Sequence, residues 1–280
     1  GVLGIATKYA EGLLAVKYRV QTEDGKMLGG PMYALERGLG CRWLGWAFAF
    51  FTILASFFIG NMIQCNSISM LLEEGYHIPP FTTGVTIALL TCAVIMFGVK
   101  GIARVCEGLV PFMAVFYVGG CLWLLGVNHA YVWPALRLIV TDAFSPQAAT
   151  GGFVGASMMI AMRYGIARGL FSNESGLGSA PIVAAAARTK NPVRQALVSS
   201  TSPFWDTVVI CAITGLVLVS SIMANPDIDS TAGATLTKVA FGQIPTFGPF
   251  VLTMGIVTFS FSTILGWSYL GEKALEYLFG

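Results

Sequence analysis

The stretch GIARGLFSNESGLGSA, Gly165 to Ala180, decides how this chain is read. It sets Gly165, Gly169, Gly176 and Gly178 around the polar run Ser172, Asn173, Glu174 and Ser175. A glycine weakens a helix by roughly 1 kcal/mol relative to alanine, so helix should fail here. Apolar residues precede the run (Val154 to Met162) and follow it (Ile182 to Ala187). The expected object is one membrane span made of two half-helices with unwound backbone between them. Such backbone is tolerated at membrane depth only where protein or a water-filled cavity receives its N–H and C=O groups. That makes the break a candidate binding site for a solute or ion. The alternative is a Gly/Ser turn joining a surface helix to a separate span.

Composition supports the membrane setting. The chain has 280 residues, 55% of them hydrophobic and 11% charged, with mean hydropathy +0.74. A soluble domain carries about 25% charged residues. Apolar runs recur at Trp43 to Leu72, Phe81 to Val99, Leu109 to Val127, Phe153 to Ala187 with its break, Ala196 to Met223, and Phe250 to Leu270. Each is long enough to cross a hydrocarbon core about 30 Å thick. A net charge of +2 with scattered basic residues carries no nucleic-acid signal. The six cysteines show no CxxC pair or metal spacing and read as small buried apolar residues. His77 and His129 fall in expected loops, which leaves no histidine in the membrane to act as a base or bind a metal. The first 16 residues look like the end of a span whose beginning is missing, and no signal peptide is visible in the sequence given.

Basic residues set the expected orientation. Lys8, Lys17, Arg19, Lys26, Arg37 and Arg42 lie on one side of the span that starts at Trp43, and the positive-inside bias assigns that side to the cytoplasm. Alternation then places the loops at 17–42, 100–107 and 188–195 in the cytoplasm, with the tail at Lys273, so that 12 of the 16 basic residues share one side. The topology is six complete spans plus the initial partial one. The outer connection from Asn128 to Gly152 is expected to hold an interfacial helix around Val132 to Val140. Gly29-Gly30-Pro31-Met32-Tyr33 is loop punctuation or part of an inner gate.

Helical periodicity singles out several polar side chains. Ser56, Phe57, Gly60, Gln64 and Ser67 share one face with Asn61 at its margin, a face expected to look inward because amides facing lipid are costly. Gln64 and Asn61 are either interhelical glue or ligand contacts. Arg163 and Arg168 precede the break, where charge is expensive unless it is paired or lines water. Asp206 lies within the following span, and either pairs with one of those arginines or serves ion coupling. Phe259, Ser262, Thr263, Gly266 and Leu270 share a face of the last span with Trp267 at its edge. The adjacent hydroxyls Ser262 and Thr263 suit a hard monovalent cation, or act as helix glue.

Taken together, six segments resemble one family, the alanine or glycine:cation symporters, also called sodium:alanine symporters. They are ATKYAEGLLAVKYR (Ala6 to Arg19), GGPMY (Gly29 to Tyr33), IGNMIQCNS (Ile59 to Ser67), ARGLFSNESGLGSAP (Ala167 to Pro181), WDTVVICAIT (Trp205 to Thr214) and STILGWSYLGE (Ser262 to Glu272). The resemblance implies an all-α polytopic membrane protein with part of a leucine-transporter-like fold, two inverted five-helix repeats and a broken central helix. Residues 1–280 would form one membrane transport domain, an apparent internal fragment from the end of the second helix through the eighth. It further implies sodium-coupled symport of alanine or glycine by alternating access in the cell membrane, with no cofactor. Gln64, Phe171, Ser172, Asn173 and Trp267 then become candidates to enclose the amino acid, beside Asn61, and Ser262 and Thr263 to bind sodium. Ser175 stands where the family more usually has alanine.

Rival readings keep the same residues. Proton coupling would use Glu174 and Asp206. A passive channel or structural membrane subunit would ignore the sodium gradient. An intramembrane enzyme could draw on Ser172 and Glu174 but lacks a histidine or metal cluster to support them.

Overall fold

Apolar segments in lipid become helices because a helix satisfies each backbone N–H and C=O within the segment itself. The computed structural model describes residues 1–23, 25–142, 165, 169–225, 235–244 and 248–280. In chain order these form α1 (Val2–Lys17), an antiparallel hairpin of β1 (Val20–Gln21) and β2 (Met27–Leu28), α2 (Pro31–Leu39) and α3 (Arg42–Tyr76). Next come α4 (Pro80–Ile95), α5 (Gly98–Val127), α6 (His129–Asp142), α7 (Ser179–Ala185), α8 (Pro192–Ala224), α9 (Thr235–Gly242) and α10 (Gly248–Phe279). Arg163, Arg168 and the half-helix expected from Val154 to Met162 lie outside the described residues.

Among the described residues, α3, α5, α8 and α10 are long and apolar enough to cross a membrane, at 35, 30, 33 and 32 residues. At about 1.5 Å per residue each exceeds the hydrocarbon thickness. Only 22, 17, 17 and 28% of their apolar windows are buried by protein, so the remaining apolar surface is covered by lipid. This is an all-α polytopic membrane protein.

Four expected boundaries move. α4 stops at Ile95, short of the Val99 expected, because the chain turns at Met96 and Phe97 and Gly98 takes φ +62°. Residues 100–107, expected as a loop, are helical within α5, and the segment 188–195 becomes helical from Pro192. The last helix runs on through Lys273, expected in a tail, to Phe279. The physical reason is common to all three extensions. Hydropathy marks the lipid-embedded part of a helix, whereas Lys, Arg and Glu are good helix formers that carry it past the apolar window. A helix is present where one was expected around Val132 to Val140, as α6, which also takes in His129.

The chain divides into two compact units. The first comprises Gly1–Lys8, Tyr117–Leu177 and Ser200–Leu252. In it α8 packs on α6, and Cys121, Leu124, Val217 and Phe241 are buried. Tyr117 stacks on Phe241 with ring centroids 5.9 Å apart, and its hydroxyl lies 2.8 Å from Thr214 Oγ1. Asn128 Nδ2 donates to Ser221 Oγ at 3.4 Å and Gln243 Oε1 at 3.2 Å. Small and polar residues let helices approach and hydrogen-bond where apolar burial gives little drive.

The second unit comprises Tyr9–Phe116, Gly178–Ser199 and Thr253–Gly280. Its core gathers Met32, Ile102, Ile182, Leu265, Tyr269 and Leu270. Arg19 holds the far end of α7. Its Nη1 donates to the carbonyls of Ala185 (3.1 Å) and Ala187 (2.7 Å), and its Nη2 to that of Thr189 (2.7 Å). The carbonyls at a helix C-terminus have no partner within the helix, and one planar guanidinium supplies three donors here. Lys273, though only 5% exposed, is paired with Glu272 and Glu276 at 2.9 and 2.6 Å. Tyr277 Oη donates to Glu36 at 2.7 Å, and Tyr33 meets the Tyr277 ring edge-on at 5.0 Å. Burial pushes the Tyr33 phenol above its ordinary pKa, and the Glu276 and Glu36 carboxylates push it the same way.

The Gly29-Gly30 pair is more than punctuation. Gly30 adopts φ +130°, and a Cβ there would come within 2.7 Å of Ile182 on α7. That backbone region is essentially glycine-only. Gly30→Ala is therefore expected to lower the thermal unfolding midpoint of the detergent-solubilised protein, by about 1–3 kcal/mol of stability. An unchanged midpoint would return the segment to loop punctuation.

Candidate functional site

The break is present. Residues 169–173 are helical, Glu174, Gly176 and Gly178 take φ +55°, +88° and +79°, and helix resumes at Ser179. Glu174 is the informative member, because a non-glycine residue in the left-handed region costs of order 1–3 kcal/mol and persists only where its surroundings impose it. Two further departures from α geometry accompany it. Ser56–Met62 in α3 and Phe204–Cys211 in α8 are π-helical. A π turn inserts a residue into the helical repeat, shifts every side chain beyond it, and occurs frequently at functional sites.

In the first unit, the π segment of α8 meets the side chains just before the break. Ser172 Oγ donates to Asp206 Oδ2 at 2.8 Å, and Thr207 Oγ1 donates to the same oxygen at 3.0 Å. Asn173 Nδ2 donates to Thr207 Oγ1 at 3.1 Å, while Asn173 Oδ1 accepts the Ser175 backbone N–H at 3.0 Å. Asn173 is buried, Asp206 and Thr207 are half-buried, and Ser172 is exposed. The arrangement is a carboxylate, two hydroxyls and an amide within one network. Such oxygen-rich clusters suit a hard cation or a proton. Asp206 thus accepts from two hydroxyls; Arg163 and Arg168, weighed as its partners from sequence, lie outside the described residues. Phe171 is 47% exposed and Glu174 half-buried.

Ser175 is 3% exposed, and its Oγ has no hydrogen-bond partner among the described residues. It packs on α1, where a Cβ at Gly4 would lie 2.8 Å from that oxygen. Only glycine at position 4 lets the two chains come this close.

In the second unit, Gly60 on the π segment of α3 abuts Trp267 of α10 so tightly that any Cβ at position 60 would overlap the indole. Asn61 is half-buried with Oδ1 unpartnered, and Thr91 Oγ1 is likewise unpartnered. Both line a cavity of about 580 Å³ together with Cys65, Met62, Ile264 and Ser268. Gln64 is half-buried. Phe57 and Ser67, expected on the inward face, are exposed, whereas Ser56, Gly60, Ile68 and Ser69 are buried. The inserted π turn is the reason, since a constant 3.6-residue period does not run through it. Ser262 Oγ and Thr263 Oγ1 both donate to the Phe259 carbonyl, at 2.8 and 2.9 Å. Back-bonding of this kind fixes each hydroxyl and leaves its lone pairs to accept.

At the α7 end of the break, Glu11 Oε1 accepts the Gly178 N–H at 3.2 Å. This backbone donor is therefore taken by one of the protein's own carboxylates. Thr207, Gly4, Glu11, Thr91 and Ser268 are the participants that sequence reading missed. Glu11, Thr207 and Ser268 at least fall in segments that carry the family resemblance, whereas Gly4 and Thr91 carried no signal.

The model of the sodium:alanine symporter family matches residues 1–280, the whole chain. The chain belongs to the sodium:alanine symporter family. It is 50% identical to an uncharacterized transporter of Haemophilus influenzae over 283 residues, covering 100% of this chain and 61% of that protein. It is 48% identical to the sodium/alanine symporter AgcS of Methanococcus maripaludis, covering 99% of this chain and 61% of that protein. A probable sodium/glutamine symporter, GlnT of Bacillus subtilis, is 34% identical over 99% of this chain and 57% of its own length. The chain thus spans about three fifths of the length of the relatives it matches. The family is one of symporters and not of enzymes.

For this member of the sodium:alanine symporter family, Ser175→Ala removes a buried hydroxyl that has no partner. Deleting such a group is neutral or stabilising, by up to about 1 kcal/mol. The thermal unfolding midpoint should hold or rise; a fall of several degrees would mean that the hydroxyl has a partner in the working protein.

Proposed function

We propose that this chain carries out sodium-coupled symport of a small neutral amino acid, alanine or glycine, by alternating access. The observation that carries the reading is the network of Ser172, Asn173, Asp206 and Thr207 at a helix break, in a chain of this family. The described helices are read as part of an inverted-repeat, leucine-transporter-like fold, and both units as parts of one transport domain in the cell membrane. The loops at 17–42 and 188–195 are read as cytoplasmic from their basic residues.

Within that reading the residues divide by chemistry. Gln64, Asn61, Phe171, Ser172, Asn173 and Trp267 contact the amino acid. The amides and hydroxyl hydrogen-bond its polar groups, and the two aromatic side chains limit its side-chain volume. Ser262 and Thr263 offer hydroxyl lone pairs to sodium, which takes several oxygen ligands. Asp206, with Glu174 beside the break, couples ion occupancy to the conformation of residues 174–178. The Asp206 carboxylate accepts from its two hydroxyl donors, and a change of charge near it reorganises the same hydrogen bonds. A differential affinity of this sort for two conformations is what alternating access requires. Proton coupling through Glu174 and Asp206 is the second reading, favoured by the single carboxylate at the centre of that network.

The test is radiolabelled alanine uptake by the protein reconstituted in liposomes, with and without an inward sodium gradient, beside Gln64→Ala. Uptake is expected to need sodium and to fall roughly 10- to 100-fold in the variant, the equivalent of one hydrogen bond to a charged group. Unlabelled alanine should compete and leucine should not. Uptake that survives sodium removal and collapses with the proton gradient would establish the second reading. Equal inhibition by leucine would remove the size limit assigned to Phe171 and Trp267.

A further inference from the structure

The segment joining α7 to α8 takes no part in the transport site proposed above, yet its backbone is held by several side chains. Between Glu174 and Asp206 the chain contains no acidic residue, while Arg188, Lys190 and Arg194 fall within seven positions of one another. Arg188, Thr189, Arg194, Gln195 and Val198 line one cavity of about 410 Å³ in the second unit. Neither Arg188 nor Arg194 has a side-chain hydrogen bond or ion pair among the described residues. Two unpaired guanidiniums facing the same space repel each other unless an anion joins them.

The backbone that presents them is held in place. Arg19 grips the carbonyls of Ala185, Ala187 and Thr189, immediately before and after Arg188. Asn191 Oδ1 accepts the Val193 and Arg194 backbone N–H groups at 2.9 and 3.3 Å, capping the start of α8. The Asn191 N–H in turn donates to Thr189 Oγ1 at 3.2 Å, and Gln195 Nε2 donates to Ser199 at 3.3 Å. The polar wall is therefore pre-formed.

The remaining wall is apolar. Val198 closes the cavity, and Val193 and Leu197 lie on the same first two turns of α8; the three are 61, 46 and 57% exposed. From there α8 continues as a membrane-crossing helix. A hydrated free phosphate has no use for such a wall, whereas a phospholipid places its phosphate and its acyl chains in this order. We infer that Arg188 and Arg194 bind the phosphate of an anionic phospholipid at the membrane interface, with its acyl chains laid along Val193, Leu197 and Val198. Basic pockets beside membrane helices take lipid head groups by the same chemistry, and arginine's planar fork matches a phosphodiester.

The experiment uses the purified protein in phosphatidylcholine nanodiscs doped with a photoactivatable phosphatidylglycerol, with cross-links mapped by mass spectrometry. Labelling is expected to concentrate on the peptide containing residues 188–198. It should fall roughly 10- to 30-fold in Arg188→Gln/Arg194→Gln, as two surface charges at about 1 kcal/mol each imply. Arg137→Gln, which removes one charge from exposed α6, should leave it unchanged. If the double variant does not fold, mapping on the unaltered protein still decides, because labels spread evenly along the spans overturn the site. Equal labelling of the double variant and Arg137→Gln also overturns it. Displacement of the lipid by inorganic phosphate at equal concentration would show that the cavity takes a free anion and not a lipid.

Discussion

Backbone that leaves helical geometry inside a lipid-spanning chain must find partners for its polar groups in the protein itself, and this constraint governs the segment 174–178. Lipid offers no hydrogen bonds, and an unmet N–H or C=O costs several kcal/mol. The protein meets the demand with side chains from distant parts of the sequence. Asn173 folds back on the Ser175 N–H and reaches Thr207 on α8. Glu11 on α1 takes the Gly178 N–H, and Arg19 takes the carbonyls beyond the far end of α7. These are charged or amide groups, which make stronger bonds than neutral hydroxyls. The resulting polar cluster around Ser172 and Asp206 is a consequence of the break as much as an addition to it.

The π segments extend the same logic. An i→i+5 turn loosens local geometry and lets one helix present an extra residue at a chosen depth. On α8 it brings Asp206 and Thr207 to the residues before the break. On α3 it brings Gly60 against Trp267 and leaves Asn61 Oδ1 with no protein partner. A buried amide oxygen without a partner is costly to maintain, and its persistence beside a cavity is what an intended ligand or water contact would leave.

The break was legible in part: Gly176 and Gly178 do leave helical geometry, with Glu174, whereas Gly165, Gly169, Ser172 and Asn173, expected within it, are helical. The four long spans were legible too, since hydropathy measures the lipid-facing surface directly. Their ends were not. Lys100, Arg104 and Lys273 look like loop residues by charge but sit comfortably in a helix, Lys273 by pairing with two glutamates. The inward face of α3 was right at Ser56 and Gly60 but misread at Phe57 and Ser67, because no residue pattern announces a π turn. Asp206 was recognised as unusual from its depth alone, but its partner was out of reach. Ser172 lies 34 positions away, and pairings at that separation depend on how helices pack, which local patterns do not encode. The close approaches at Gly4, Gly30 and Gly60 were hidden for the same reason. A glycine inside an apolar run reads equally well as spacing for a neighbour or as an indifferent residue.

The central claim is that the break and the π segment of α8 act as one coupled element through Ser172 and Asp206. A double-mutant cycle of Ser172→Ala and Asp206→Asn, read as the sodium dependence of alanine binding to the purified protein, tests it most directly. Residues sharing one hydrogen-bond network show interaction energies of about 0.5–3 kcal/mol. The account predicts non-additive effects of that size, with the second substitution costing little once the first is made. Strictly additive effects, or alanine binding that keeps its full sodium dependence in both single variants, would contradict it.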